Sequence, residues 1–181
     1  LSESNTKSNL ELNIQQTNSD NFIKAFGIDT PLVNKDDNIL ENSLKFDFSD
    51  ESSFFGLNVS AFENLSLKEN KKYEYLLPYI TFDKSLDIDD KYGLFDFSSN
   101  LRVRNYEVNK QSNLFVNDIN WQSKRLKNNL GVDSKFIASL KNINYKTNNV
   151  DNFKDEKTHE LSSAFGYFAK LNLFKVNTNN G

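Results

Sequence analysis

Apolar and polar residues take turns along three long runs between Tyr92 and Tyr145. Phe95, Phe97, Leu101 and Val103 share one parity, and Asp96, Ser98, Asn100, Arg102 and Arg104 the other. A period of two belongs to a β-strand, whose successive side chains point to opposite faces. The run from Leu130 repeats the design, with Leu130, Val132, Phe136, Ala138 and Leu140 against Gly131, Asp133, Lys135, Ser139 and Lys141. A strand in a soluble sheet is commonly about five or six residues. These runs reach the roughly nine to eleven needed to cross a bilayer at a tilt.

The same pattern over the whole chain predicts eight strands: Asn9 to Thr17, 41–49, Phe54 to Glu63, Tyr73 to Leu86, 92–106, 113–125, 130–145 and His159 to Lys175. One short helical turn is expected over Asn21 to Phe26, capped by Asp20. The connections at 50–53, 87–91 and 126–129 read as short, and those at 18–40, 64–72, 107–112 and 146–158 as longer. Strict alternation of short and long connections is the habit of an outer-membrane barrel, with tight turns on one side and longer loops on the other. Tyr73, Tyr75, Tyr106 and Tyr145 all fall at the long-loop ends of their strands, where an interfacial aromatic girdle would lie.

The fold expected is therefore all-β: an antiparallel meander of about eight long strands, forming a segment of a transmembrane outer-membrane β-barrel. On that reading Phe95, Phe97, Leu101, Val103, Val132, Phe136 and Ala138 face lipid. Lys45, Asp47, Asp96, Asn100, Arg102, Arg104, Asp133 and Lys135 then face the lumen, where arginine's planar fork suits a phosphate-bearing head group.

Composition narrows the alternatives. The 181 residues carry a net charge of −3 with a pI near 5.3, which argues against a nucleic-acid partner. No apolar run approaches the roughly 18 residues of a membrane helix. A mean hydropathy of −0.65 remains compatible with a barrel, whose inward face is polar. The absence of Met predicts that residues 1–181 are a piece of a longer barrel domain, and the absence of Cys excludes disulfides and thiolate metal sites within it.

The stretch Asp20-Asn21-Phe22-Ile23-Lys24-Ala25-Phe26-Gly27-Ile28 resembles the segment after an early barrel strand in the lipopolysaccharide-assembly outer-membrane proteins of the LptD family. Leu76-Leu77-Pro78-Tyr79-Ile80-Thr81-Phe82 is similar to that family's Leu-Pro-centred strand, and the likeness continues through strand 92–106, Trp121 and the strand from Gly131 to Tyr145. The resemblance implies an interior portion of the barrel wall, in the outer membrane of a Gram-negative bacterium, passing lipopolysaccharide without catalysis. It also implies three partners: lipopolysaccharide among outer-membrane lipid, a plug lipoprotein inside the barrel, and the periplasmic bridge. The family's preceding periplasmic domain and its cysteines have no counterpart in these residues. Another outer-membrane barrel, such as a porin or receptor, and a soluble β-sheet binding module also fit the period-two pattern.

Enzyme chemistry finds little purchase. His159 is the only histidine, so a histidine triad or multi-histidine metal site is impossible within these residues, and its place where a loop meets a strand suggests a solvated loop residue. Asp87-Ile88-Asp89-Asp90 opens like a calcium loop, but Tyr92 stands where that loop needs Gly and Ser98 where it needs Glu, leaving a plain acidic turn. No cofactor is expected.

Overall fold

The computed structural model describes residues 5–30, 38–89, 92–107, 109–151 and 153–171. One antiparallel sheet takes up most of them. Its strands are β1 (Lys7–Asn13), β2 (Ile39–Ser49), β3 (Ser53–Asn64), β4 (Tyr73–Asp89), β5 (Gly93–Tyr106), β6 (Lys110–Gln122), β7 (Leu126–Lys127), β8 (Val132–Asn148) and β9 (Thr158–Leu171). Sequence neighbours pair in turn from β1 to β6. β8 then joins β6 along one side, with the two-residue β7 continuing that side, and β9 closes the order on the other. The expected meander of long strands is present, and the additional short strand lies in the stretch predicted as the turn 126–129. The end of the sheet carrying the β2–β3 and β4–β5 connections is termed the lower end, and the end carrying the β3–β4 connection the upper.

The rhythm of the connections differs from expectation. β6 begins at Lys110, so the loop expected at 107–112 shrinks to 107–109, while the connection between β6 and β8 spans 123–131 and holds β7. Short and long therefore do not alternate without exception. β1 also stops at Asn13 rather than Thr17. Beyond it, side-chain amides replace the ladder: the Gln15 amide N–H donates to Asn42 Oδ1 at 2.8 Å and the Glu41 N–H to Gln15 Oε1 at 2.8 Å. His159 lies inside β9, not in a loop. The acidic turn expected at 87–91 is taken over by β4 as far as Asp89, and its last two positions lie outside the described residues. So do the final residues expected in the last strand, 172–175.

Gly93 shows why the β4–β5 connection needs glycine. Its φ is +83°, and a Cβ there would stand 2.2 Å from the Gln122 carbonyl oxygen. The β2–β3 turn is held instead by one carboxylate. Asp50 accepts the Ser53 hydroxyl at 2.6 Å and the amide N–H groups of Ser52 and Ser53, each at 2.8 Å. The Ser53 hydroxyl foremost, then the Ser52 amide, holds its carboxyl down to about 2. A carboxyl depressed in the folded state stabilises above its unfolded value of about 4, and the contribution is lost as pH falls through the folded value. A titration followed at the Ser52 and Ser53 amides is thus expected to turn over near pH 2. A midpoint near the ordinary value of about 4 would contradict this arrangement.

Burial is sparse. Among the described residues the buried apolar side chains are Ile23, Leu40 and Leu65, with Ile28 against them. This small core joins the helix α1 (Phe22–Phe26) to the upper ends of β2 and β3, and Gly27, at φ +57°, ends the helix. Asp20 does not cap α1. Asn21 occupies the N-cap position without a side-chain hydrogen bond, and the Asp20 carboxylate accepts from Lys72 Nζ at 2.8 Å across 52 residues of sequence.

Candidate functional site

Residues paired directly across strands share a face, so the register sorts every strand position. On one face lie Leu10 and Leu12 of β1, Leu44, Phe46 and Phe48 of β2, and Phe55, Leu57 and Val59 of β3. Ile80 and Phe82 of β4 follow, then Phe95, Phe97, Leu101 and Val103 of β5, Phe115, Ile119 and Trp121 of β6, Val132, Phe136, Ala138 and Leu140 of β8, and Leu161, Phe165 and Tyr167 of β9. All seven residues expected to face lipid belong to this face. The eight expected in the lumen, Lys45, Asp47, Asp96, Asn100, Arg102, Arg104, Asp133 and Lys135, belong to the other.

Carboxylates follow the same division. Glu11, Glu41, Asp47, Glu74, Asp83, Asp96, Asp118, Asp133 and Glu160 share the polar face, whereas Glu63 is the one carboxylate among the described strand side chains on the apolar face. Glu63 is held at 2.8 Å by Lys72, whose side chain is 7% exposed and is also bonded to Asp20. These two partners, Asp20 first, raise the Lys72 pKa above its ordinary value.

On the polar face opposite charges meet both across strands and along them. Arg104 donates to both oxygens of Glu74, at 2.7 and 3.0 Å, and its guanidinium lies 4.3 Å from the Tyr106 ring centre. Lys45 meets Glu41 at 2.9 Å and Glu11 at 3.8 Å, Lys141 meets Asp118 at 3.2 Å, and Arg125 meets Asp133 at 3.3 Å. Lys135 bonds Gln122 instead, and Asp96 accepts the Ser85 hydroxyl. Leu114, Val116 and Ile143 interrupt the charges, so this face is mixed rather than wholly polar.

Tyr73, Tyr75 and Tyr106 stand at one level, Tyr145 lies four residues lower on the ladder, and the four do not share a face. Tyr75 pairs with Ala61 and Asn105 on the apolar side, with Tyr73 stacked beside it at 6.4 Å, whereas Tyr106 and Tyr145 stand on the polar side. Tyr73 and Tyr75 join the apolar side only because β4 carries an extra residue at Leu77 and Pro78, where the register shifts against both β3 and β5. Without that bulge Tyr75 would have the opposite orientation to Ile80 and Phe82.

The apolar field is oblique to the strands. One row of paired residues runs Leu10, Phe46, Leu57, Ile80, Leu101, Phe115, Asn144, His159: apolar from β1 to β6, polar on β8 and β9. Nearer the lower end, the row Ser53, Lys84, Phe97, Ile119, Leu140, Ser163 starts polar on β3 and β4 and becomes apolar on β5, β6 and β8. Lower still, Val132 with Leu171 and Phe136 with Tyr167 extend the field on β8 and β9 alone. Ser99 and Asn117 interrupt it, and the Ser99 hydroxyl donates to Asn117 Oδ1 at 2.8 Å. Sequence parity located the faces, but the oblique course appears only once the register is known.

Among the described residues no group of three or more His, Asp or Glu side chains is placed to hold a metal ion, and no helix is long and apolar enough to cross a membrane. The sequence matches no protein-family model and no curated protein.

Proposed function

We propose that the sheet is part of the wall of an outer-membrane β-barrel of the lipopolysaccharide-assembly type, its apolar face against lipid and its charged face toward the lumen. The oblique apolar field carries this reading. Between β1 and β9 its lower margin descends by about twelve residues, from Leu10 to Leu171, while its upper margin runs level from Leu12 to Val103 and then descends by about four to Leu161. At about 3.4 Å per residue and about 4.8 Å between strands, the mean descent of a little over one residue per strand is a slope of roughly 40°. Strands of transmembrane barrels tilt by about 35–45°, so a flat hydrocarbon layer drawn across such a wall would meet each strand further along than the last. β4 and β8, each of 17 residues, are long enough for such a crossing.

In this role the protein acts as a passive conduit. Arg102, with Asn100 and Lys135, offers charge and hydrogen bonds to a phosphate-bearing head group while acyl chains stay in the bilayer, and Arg104 would join it only by leaving Glu74. The plug lipoprotein and the periplasmic bridge would be its protein partners, following the resemblance to the LptD family.

Single fluorophores attached in the full-length protein within bilayers test the orientation, since residues 1–181 contain no competing Cys. Quenching by acyl-chain-labelled lipid is expected to be strong at Leu101 and Val103 and weak at Asn100. Along one row it should be strong at Phe46 and weak at Asn144. Equal quenching at all five, or none at any, would mean that the apolar face meets protein.

A further inference from the structure

The oblique field leaves one corner of the apolar face polar. At the upper end of β6, β8 and β9 this corner holds Asn113, Asn142, Asn144, Lys146 and His159. Its side chains are organised. The Asn144 amide donates to Asn142 Oδ1, and His159 Nδ1 lies 2.6 Å from Asn144 Oδ1. Asn113 Oδ1 is cut off from solvent without a hydrogen-bond partner among the described residues.

Charge and position together identify what fits there. The described strand residues of β5, β6, β8 and β9 on this face include no carboxylate, so the Lys146 ammonium stands uncompensated by strand neighbours on its own side. On β4 the same upper margin is marked by Tyr75, a ring suited to the level where hydrocarbon gives way to head groups. The corner therefore lies one step beyond the hydrocarbon, facing outward, with a cation and amide donors.

We infer that this corner binds the head group of an anionic bilayer lipid bearing hydroxyls, with Lys146 on the phosphate and the amides of Asn113 and Asn144 toward the hydroxyls. The inference rests on the proposed lipid-facing wall. It adds a lipid contact on the outer surface, separate from the charged lumen.

The test uses the full-length protein carrying Gln111→Cys, an exposed position beside the corner, labelled with a fluorophore in phosphatidylcholine vesicles. Phosphatidylglycerol bearing a nitroxide on its head group is expected to quench this label with roughly fivefold preference over head-group-labelled phosphatidylcholine, the advantage of about one cationic side chain at a membrane surface. Lys146→Glu should abolish the preference, while chain-labelled lipid still quenches a label at Phe46. Equal quenching by both head groups, or a preference that survives Lys146→Glu, would overturn the site and leave the wall reading standing. Loss of chain quenching at Phe46 in the unsubstituted background would instead remove the wall reading, and the site with it.

Discussion

Residues 1–181 expressed alone are expected to aggregate in plain buffer and to become monodisperse only in detergent. The cause is the apolar face. Leu10 and Leu12 are 68% and 66% exposed, Leu161 and Phe165 69% and 71%, and no second layer covers the sheet among the described residues. Contiguous apolar patches on soluble monomers rarely exceed a few hundred Å². β9 compounds the problem: its outer edge is unpaired among the described residues, and Leu161 to Ala169 contains neither charge nor proline. Such an edge is a template for further strands. Size-exclusion chromatography with and without detergent decides the matter. A monodisperse monomer in plain buffer that unfolds cooperatively would favour a soluble binding module.

Leu101→Lys should carry the largest cost among single substitutions. Leu101 is flanked on its own face by Ile80 and Phe115, inside the apolar field, whereas its neighbour Asn100 faces the charged side between Thr81 and Val116. A lysine on the lipid face near mid-membrane costs about 2–4 kcal/mol, and one in the lumen much less. Denaturant unfolding of the full-length protein from bilayers is expected to separate Leu101→Lys from Asn100→Lys by that amount. A soluble core would also punish Leu101→Lys, so the comparison gains its meaning from depth: Leu10→Lys, at the margin on β1, should cost less than Leu101→Lys. Equal costs at the two leucines would contradict a hydrocarbon layer crossing the sheet obliquely.

Most of the strand pattern is legible in the sequence, because alternation is local: Phe95, Phe97, Leu101 and Val103 report their shared face within a single strand. What escaped depends on partners distant in sequence. Asp20 reads as a helix cap next to Asn21, but Lys72 offers it a full charge, which outweighs one backbone amide. β7 exists because β8 extends below the end of β6, and Leu126 and Lys127 take up the exposed side of Ser134 and Asp133. The end of β1 is set by side-chain amides that compete with the ladder, and nothing in the run Leu12, Ile14 distinguishes those last residues from strand. The polar corner was equally hidden. Asn142, Asn144 and His159 look like ordinary strand polars until pairing places them side by side at the margin of an apolar field.

The extra residue at Leu77 and Pro78 bears on how β4 can change length over evolutionary time. Between Tyr75 and Ile80 the strand behaves like a reading frame with two phases. Deleting one residue there would rotate Tyr73 and Tyr75 onto the charged side, carry Glu74 to the opposite side, and separate it from the Arg104 guanidinium that it now binds with both oxygens. Deleting or inserting two would keep every side chain on its side and merely slide the aromatic pair by about 7 Å along the strand. Length variants of this strand should therefore differ by even numbers of residues, with odd changes tolerated only where a second bulge restores the phase.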